Sequence, residues 1–157
     1  MYSAEDFDRE KTKVLRYILY KKRTENEVRK KFQNSIEEEM LENIIEYLKE
    51  AKYIDDNDYI EKIINNFKIL KSLSTMELRY KLIAKGLNKN LIEDYFYENK
   101  EELTEYEINS AKKIIIKKQK DMEKQDIIMY LLKKGYKKDN INKALDKIAK
   151  GEGWKIL

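Results

Sequence analysis

The stretch KLIAKGLNKNLIEDYF, from Lys81 to Phe96, recurs in a looser form forty-nine residues later as YLLKKGYKKDNINKAL, from Tyr130 to Leu145. In both copies an apolar segment ends in a Lys–Gly pair, first at Lys85–Gly86 and then at Lys134–Gly135. Glycine adopts a left-handed conformation at no steric cost and often follows the last turn of a helix. We therefore expect both pairs to end the same helix of a repeated unit.

A third, looser copy of this pattern lies in the first half of the chain. TENEVRKKF begins at Thr24, as STMELRYKL begins at Ser74 and EKQDIIMYL at Glu123. Thr24 and Ser74 are each followed three residues later by a glutamate, which is the pattern of a capping box at the start of a helix. Thr104 and Glu107 have the same spacing and predict a further helix start.

Each unit is predicted to contain a long helix, a short capped helix and a closing helix. The isoleucines and phenylalanine of residues 60–67 recur at the spacing of one buried helical stripe, and residues 7–18 and 108–115 repeat this pattern. The long helices are predicted at 5–21, 57–71 and 104–120. The closing helices are predicted at 36–50, 89–97 and 139–150.

A helical sequence with a period near fifty residues indicates repeats that stack on one another. We therefore predict an all-α fold of three tandem three-helix repeats forming an elongated, curved helical stack. The predicted repeats span residues 1–56, 57–100 and 101–157.

The composition argues against several classes of protein. The chain has no cysteine and no histidine, so disulfides, thiolate zinc sites and histidine-based catalysis are excluded. Its longest apolar run, Ile127–Leu132, is too short to cross a membrane. The acidic residues in DDND, residues 55–58, are expected to cap a helix rather than bind calcium. We predict no catalytic residue, metal or cofactor, and expect a cytoplasmic, monomeric protein.

Basic residues are concentrated in two segments, although the formal net charge is only +4. Lys11–Lys31 contains nine basic and two acidic residues, and Lys112–Lys138 contains ten and three. Such segments suit binding to phosphates, but lysine-rich solvated faces remain an equally good interpretation.

The order of four segments resembles the RecX family, whose members regulate the bacterial recombinase RecA. These segments are RTENEVRKKF, YLKEAKYIDDNDYIEKI, ELRYKLIAKGLNKNLIEDYF and YLLKKGYKKDNINKAL, within residues 13–148. The resemblance implies three tandem three-helix repeats, in agreement with the spacing. The first unit departs from the pattern, because it reads FQNSIEE where the others have a Lys–Gly pair.

The resemblance further implies a non-enzymatic modulator, chiefly an inhibitor, that binds the RecA filament on single-stranded DNA. Such a protein restrains filament growth, ATP hydrolysis and strand exchange, and so damps recombination, DNA repair and the SOS response. A weak direct contact with DNA is also compatible with it. The candidate contacts with filament or DNA are Arg16, Lys22, Arg23, Lys30, Lys112, Lys113, Lys117 and Lys118. Among them, Lys112, Lys113 and Lys117 are expected to lie near one another on a helix.

Two other functions remain open, a stand-alone helical DNA-binding module and a protein-binding helical scaffold. The first would need a recognition helix, yet residues 36–50 are rich in glutamate, which DNA phosphates would repel. Tyr17, Tyr47, Tyr95 and Tyr136 lie in or beside apolar stripes, and most of them are expected to be buried or half-buried with their hydroxyls in solvent. Trp154 is expected either to fold back as a lid on the third repeat, which is the preferred interpretation, or to contact a partner.

Overall fold

The structure is a computed structural model that describes residues 2–151, and Trp154 lies outside the described residues. This part of the chain contains nine α-helices and no strand, which confirms the predicted all-α class. None of these helices is both long and apolar enough to cross a membrane. The helices are α1 (Ala4–Tyr20), α2 (Glu25–Phe32), α3 (Glu38–Glu50), α4 (Asp56–Leu70), α5 (Thr75–Ala84), α6 (Lys89–Glu98), α7 (Lys100–Lys118), α8 (Lys124–Lys133) and α9 (Lys138–Ala149).

The helices form two compact units. The first contains the described residues up to Lys62 together with Ile83–Lys89, and the second contains Ile63–Leu82 and the described residues from Asn90 onward. In the first unit the core is built from α1, α2 and α3, whose buried side chains include Val14, Ile18, Val28, Ile44 and Leu48. In the second unit a core of α7, α8 and α9 includes Ile108, Ala111, Ile127, Leu131 and Ile141. The stripe residues Val14, Ile18, Ile60, Ile64, Ile108, Ala111 and Ile115 are buried as predicted, whereas Phe7, Ile63 and Phe67 are half-buried.

The short helices α2 and α5 begin as predicted, each at a capping box. The Thr24 hydroxyl accepts a hydrogen bond from the Glu27 backbone N–H at 3.1 Å, and the Glu27 carboxylate accepts one from the Thr24 N–H at 3.0 Å. Ser74 and Glu77 make the same two bonds, both at 3.0 Å. These bonds satisfy N–H groups that have no partner within the helix.

The third predicted capping box, Thr104–Glu107, is wrong. α7 begins at Lys100, with Asn99 at its N-cap, so Thr104 lies inside the helix. The Glu107 side chain is fully buried and accepts four hydrogen bonds from Thr75, Lys137 and Asn140. A local spacing rule fails here because the carboxylate binds partners that are distant in sequence.

The two Lys–Gly pairs end α5 and α8, as predicted. Gly86 and Gly135 have φ angles of 81° and 93°, in the left-handed region. Each pair also contacts the N-cap of the preceding short helix, an arrangement that we call a repeat junction. In the first unit the Thr24 hydroxyl donates to the Lys85 carbonyl at 3.3 Å. In the second unit the Ser74 hydroxyl donates to the Lys134 carbonyl at 2.6 Å.

A carboxylate from the next long helix completes each repeat junction. In the first, the Asp56 carboxylate accepts from the Glu25 backbone N–H at 3.1 Å, and burial raises the pKa of Asp56. In the second, Glu107 accepts from the Thr75 N–H at 2.8 Å. Glu25 and Thr75 are the first residues of α2 and α5, where the helix dipole favours a negative charge.

The DDND segment caps α4, as expected. The Asp55 carboxylate accepts a hydrogen bond from the Asp58 backbone N–H at 3.1 Å. Asp58 in turn pairs with Lys22 and, at 3.2 Å, with Lys62. Each acid therefore has a structural partner, and the hydrogen bond from Lys22 is the main reason that the pKa of Asp58 is lowered.

Candidate interaction surfaces

Two of the four candidate cations in the first repeat are available to a partner. Arg16 on α1 and Lys30 on α2 are exposed and have no ion pair or hydrogen bond to another described residue. The charge of Lys22, by contrast, is already paired with Asp58. Arg16 and Lys30 are therefore the stronger candidates in this repeat.

The fourth candidate in the first repeat, Arg23, packs inside the repeat. Its guanidinium lies 4.1 Å from the centroid of the Tyr17 ring, and its Nε is buried with no hydrogen-bond partner among the described residues. The ammonium of Lys31 also faces this ring, at 5.7 Å. Tyr17 contacts Phe32 edge-on at 5.5 Å. Arg23 thus holds the α1–α2 contact, and a partner would have to displace it.

The candidate lysines of the third repeat all lie on α7, but they do not form one cluster. Lys113 and Lys117 are exposed and one turn apart, and neither has an ion pair with any described residue. Lys112 is half-buried, and at 100° per residue it lies about 140° around the helix from Lys117. Lys118 lies over the Tyr130 ring at 4.2 Å. Of the three lysines that were expected to be neighbours, only Lys113 and Lys117 lie one turn apart on the same face of α7.

The sequence analysis did not predict two pairs of exposed apolar residues, which lie at the ends of α1 and α4. Leu19 and Tyr20 are 65% and 87% exposed, and the equivalent residues of the second repeat, Ile69 and Leu70, are 81% and 76% exposed. Both pairs lie outside the buried stripe of their helix. This position relative to the stripe is the signal that would have identified them. Tyr20 also lies one turn after Arg16, so a cation and an accessible ring occupy one face of α1.

The tyrosines only partly follow the prediction. Tyr17 and Tyr95 are half-buried, and Tyr47 is 47% exposed. For Tyr136 the expected solvent-facing hydroxyl is wrong, because the residue is 3% exposed and its hydroxyl has no hydrogen-bond partner among the described residues. Burial strongly raises the pKa of Tyr136. The aromatic side chain fills the α7–α8–α9 core, and the hydroxyl is buried with it.

The outer face of α3 is acidic, as the sequence suggested. The exposed glutamates at or near this helix are Glu37, Glu38, Glu39, Glu42, Glu46 and Glu50. One of them, Glu42, forms an ion pair with Arg29 of α2, and this pairing lowers the pKa of Glu42. Most of this face remains negative and is unsuited to entering a DNA groove.

The described residues include no group of three acids placed to bind a metal ion. Several carboxylates are instead bound at the repeat junctions or in ion pairs.

Comparison with known proteins gives sequence relatives and solved structures of the same fold. No protein-family model matches the chain. The chain is 33% identical over 139 residues to the regulatory protein RecX of Staphylococcus carnosus, a match that covers 86% of this chain and 52% of the relative. It is 34% identical over 137 residues to that of Staphylococcus haemolyticus, covering 84% and 51%. The chain thus spans about half the length of the curated relatives it matches.

The crystal structure of RecX from Lactobacillus salivarius superimposes with a TM-score of 0.78 at 24% identity. This match covers 94% of the present chain and 99% of the solved one. A second crystal structure, of a regulatory protein RecX, gives a TM-score of 0.75 at 22% identity. The helical fold is therefore shared with solved proteins.

Proposed function

The chain belongs to the RecX family, and we propose that it is a non-enzymatic regulator of the RecA recombinase. It binds the RecA filament on single-stranded DNA, restrains filament growth, ATP hydrolysis and strand exchange, and so damps recombination, DNA repair and the SOS response. It acts in the cytoplasm as a monomer. The observation that carries this proposal is the match to proteins named regulatory protein RecX over 86% of the chain.

We place the charged contacts with filament or DNA first at Arg16, Lys30, Lys113 and Lys117. These four side chains are not paired with any described residue, and an unpaired charge attracts phosphates or an acidic protein surface without first breaking an ion pair. The other four candidates contribute less, since they are paired, stacked on tyrosine or half-buried; these are Lys22, Arg23, Lys112 and Lys118.

The proposal is tested by ATP hydrolysis by RecA from the same organism on single-stranded DNA, with this protein added far below stoichiometry. Suppression at a low ratio is expected, because one molecule bound to a filament affects many RecA subunits. Suppression only in proportion to DNA would instead mean competition for the strand. An absence of any effect from the folded protein would refute the proposal.

A stand-alone DNA-binding module is the weaker alternative, because the exposed face of α3 is acidic. A salt titration of binding to bare single strands separates it from a protein scaffold. Binding through phosphates weakens steeply as salt rises, whereas a scaffold leaves DNA unbound at all salt concentrations.

A further inference from the structure

A polar cavity of about 220 Å³ lies where α5, α6, α7 and the start of α9 meet. All the residues that line it belong to the second compact unit. Its volume is below the roughly 300–1,000 Å³ of pockets that enclose a drug-sized ligand. The cavity therefore suits a small ligand or a single group of a larger one. The polar residues of its lining are Arg79, Glu93, Lys100, Thr104, Lys137 and Asn140.

The lining contains three cations, and only one of them is paired. Arg79 forms an ion pair with Glu93 at 2.9 Å and lies over the Phe96 ring at 4.5 Å. Lys100 and Lys137 are exposed, and the ammonium group of neither has an ion pair or hydrogen bond to another described residue. Three cations and one carboxylate give the lining a net charge of +2. An anion can therefore bind the two lysines without first breaking an ion pair.

The carboxylates near the cavity do not make it a cation site. Glu107 is fully buried and binds lining residues, but its two oxygens already accept four hydrogen bonds and do not line the cavity. The exposed glutamates on either side of Lys100 do not line it either; they are Glu98, Glu101 and Glu102. Their charges weaken the attraction for an anion without reversing it, because the two nearest cations are unpaired. We therefore expect modest affinity for an anion.

The hydrogen-bond donors of the lining suit a phosphate group. Each lysine ammonium can donate several hydrogen bonds. The Thr104 hydroxyl, on half-buried Thr104, also lines the cavity and has no hydrogen-bond partner among the described residues. A phosphate monoester carries about two negative charges at neutral pH and three strong acceptor oxygens, so it matches both the charge and the donors. A carboxylate, with one charge and two oxygens, matches them less well.

The two unpaired lysines do not serve the fold. Lys100 is the first residue of α7, and Lys137 is the N-cap of α9. The helix dipole places positive potential at both positions, so a cation there is destabilising unless an anion compensates it. Removing the two charges should consequently leave the stability of the free protein unchanged or raise it.

We propose that this cavity binds a phosphate group with about two negative charges, either free phosphate or a terminal phosphate monoester. The ammonium groups of Lys100 and Lys137 donate to its oxygens, and the Thr104 hydroxyl donates one further hydrogen bond. Arg79 stays paired with Glu93 and forms part of the wall. The site does not depend on the proposed function, since none of its residues is among those assigned to the filament or DNA.

Titration of the full chain with inorganic phosphate tests the site by NMR, with sodium chloride keeping the ionic strength constant. We expect saturable shifts of the backbone amide signals of the lining residues, with a Kd of about 1 mM, because exposed lysines bind weakly. Lys100→Gln with Lys137→Gln should weaken binding about tenfold or more without lowering the melting temperature of the free protein. The matched control is Lys89→Gln with Lys143→Gln, which removes two exposed charges that do not line the cavity.

A conservative variant tests the hydroxyl separately. Thr104→Val keeps the shape of the side chain and removes its donor, so phosphate binding should weaken several-fold. The proposal would be overturned if phosphate caused no saturable shift at the lining residues. Equal binding by the two double variants would overturn it as well, because net charge and not the cavity would then attract phosphate.

The source of the phosphate is identified with two short oligothymidylates, one with a 5′-phosphate and one without. Shifts of the lining residues with the phosphorylated strand alone would support a terminal monoester as the ligand. Shifts with inorganic phosphate and with neither strand would support a free phosphate. Equal shifts with both strands would contradict the proposed preference for two charges, because the strand without a 5′-phosphate has only singly charged diesters. These titrations contain no RecA, so their outcome is independent of the ATP hydrolysis test.

Discussion

Gly135 is restricted both by its own backbone and by its neighbour. Its φ of 93° is unfavourable for any residue with a Cβ atom, and a Cβ added there would lie 2.8 Å from Met76 Cβ. The Met76 Cβ is fixed to the α5 backbone, so it cannot move aside alone. At Gly86 the nearest atom to an added Cβ would be the movable amide nitrogen of Asn26, with the Asn26 Cβ slightly further away, at 3.0 Å. The two glycines that look equivalent in sequence therefore differ in how much an added methyl group should cost.

Gly135→Ala is expected to lower the free energy of unfolding by roughly 2–4 kcal/mol, the sum of a left-handed alanine and an overpacked contact. Gly151→Ala is the control, because Gly151 has a similar φ of 90° and no described atom lies within 4 Å of the place that an added methyl group would take. It should cost only about 1–2 kcal/mol. Urea denaturation measures both values. Equal losses would show that the contact with Met76 contributes nothing.

Glu107 is a fully buried carboxylate whose four hydrogen bonds all come from uncharged donors. The donors are the backbone N–H groups of Thr75 and Lys137, the Thr75 hydroxyl and the Asn140 amide. They belong to α5 and to the start of α9, so a single side chain of α7 connects three helices. Both carboxylate oxygens are needed, because each accepts two of the bonds.

Glu107→Gln should therefore be strongly destabilising. The glutamine amide would direct N–H groups at the Lys137 N–H and the Asn140 amide, and leaving buried donors without an acceptor costs about 1–3 kcal/mol each. Glu105→Gln, on the exposed side of the same helix, should change stability by less than about 0.5 kcal/mol. Thermal unfolding of the two variants provides the comparison. A similar melting temperature for both would contradict this role of Glu107.

At the scale of the element, the N-cap of a short helix has two functions. The Ser74 hydroxyl accepts from the Glu77 N–H at the start of α5 and donates to the Lys134 carbonyl at the end of α8. The same hydroxyl thus satisfies one free N–H and one free C=O, each at a different helix end. This double use explains why Ser74 is completely buried, which is unusual for an N-cap serine.

Ser74→Ala should consequently cost more than the loss of an ordinary cap. Ser3 is a suitable control, because its hydroxyl caps α1 by accepting a hydrogen bond from the Asp6 backbone N–H at 3.1 Å, and this bond is exposed. Ser3→Ala should cost about 1 kcal/mol, whereas Ser74→Ala should cost about 2–3 kcal/mol, since the Lys134 carbonyl also loses a donor in a partly buried contact. Chemical denaturation distinguishes the two. The junction would be unimportant if both losses were the same.

At the scale of the whole molecule, the charged side chains fall into two groups. Some form ion pairs between helices, and others are cations that are exposed at the surface. Under the proposed function the exposed cations Lys113 and Lys117 bind the filament. Replacing both by glutamine keeps their aliphatic parts and removes two charges. We expect more protein to be needed for the same suppression of RecA ATP hydrolysis, with unchanged thermal stability.

The control for this variant is Lys89→Gln with Lys143→Gln, which removes two exposed charges elsewhere. Binding to the filament, measured at several salt concentrations, should show a shallower salt dependence only when Lys113 and Lys117 are replaced. If the two double variants weaken binding equally, net charge matters and these positions do not.

The sequence by itself determined the helices and their order. The capping boxes at Thr24 and Ser74, the glycines after α5 and α8, and the apolar stripes act through bonds or contacts within a few residues. Such signals can be read locally, and for this reason the all-α repeat was predictable. The resemblance to the RecX family rests largely on the same helix starts and helix ends.

Only the tertiary structure decided what these residues do between helices. Glu107 had the spacing of a cap but accepts bonds from residues about thirty positions away, and Tyr136 is buried together with its hydroxyl. Four of the eight candidate cations, identified by charge alone, have a paired, stacked or half-buried side chain. Ion pairing, stacking and burial depend on which side chains meet between helices, and no local pattern in the sequence contains that information.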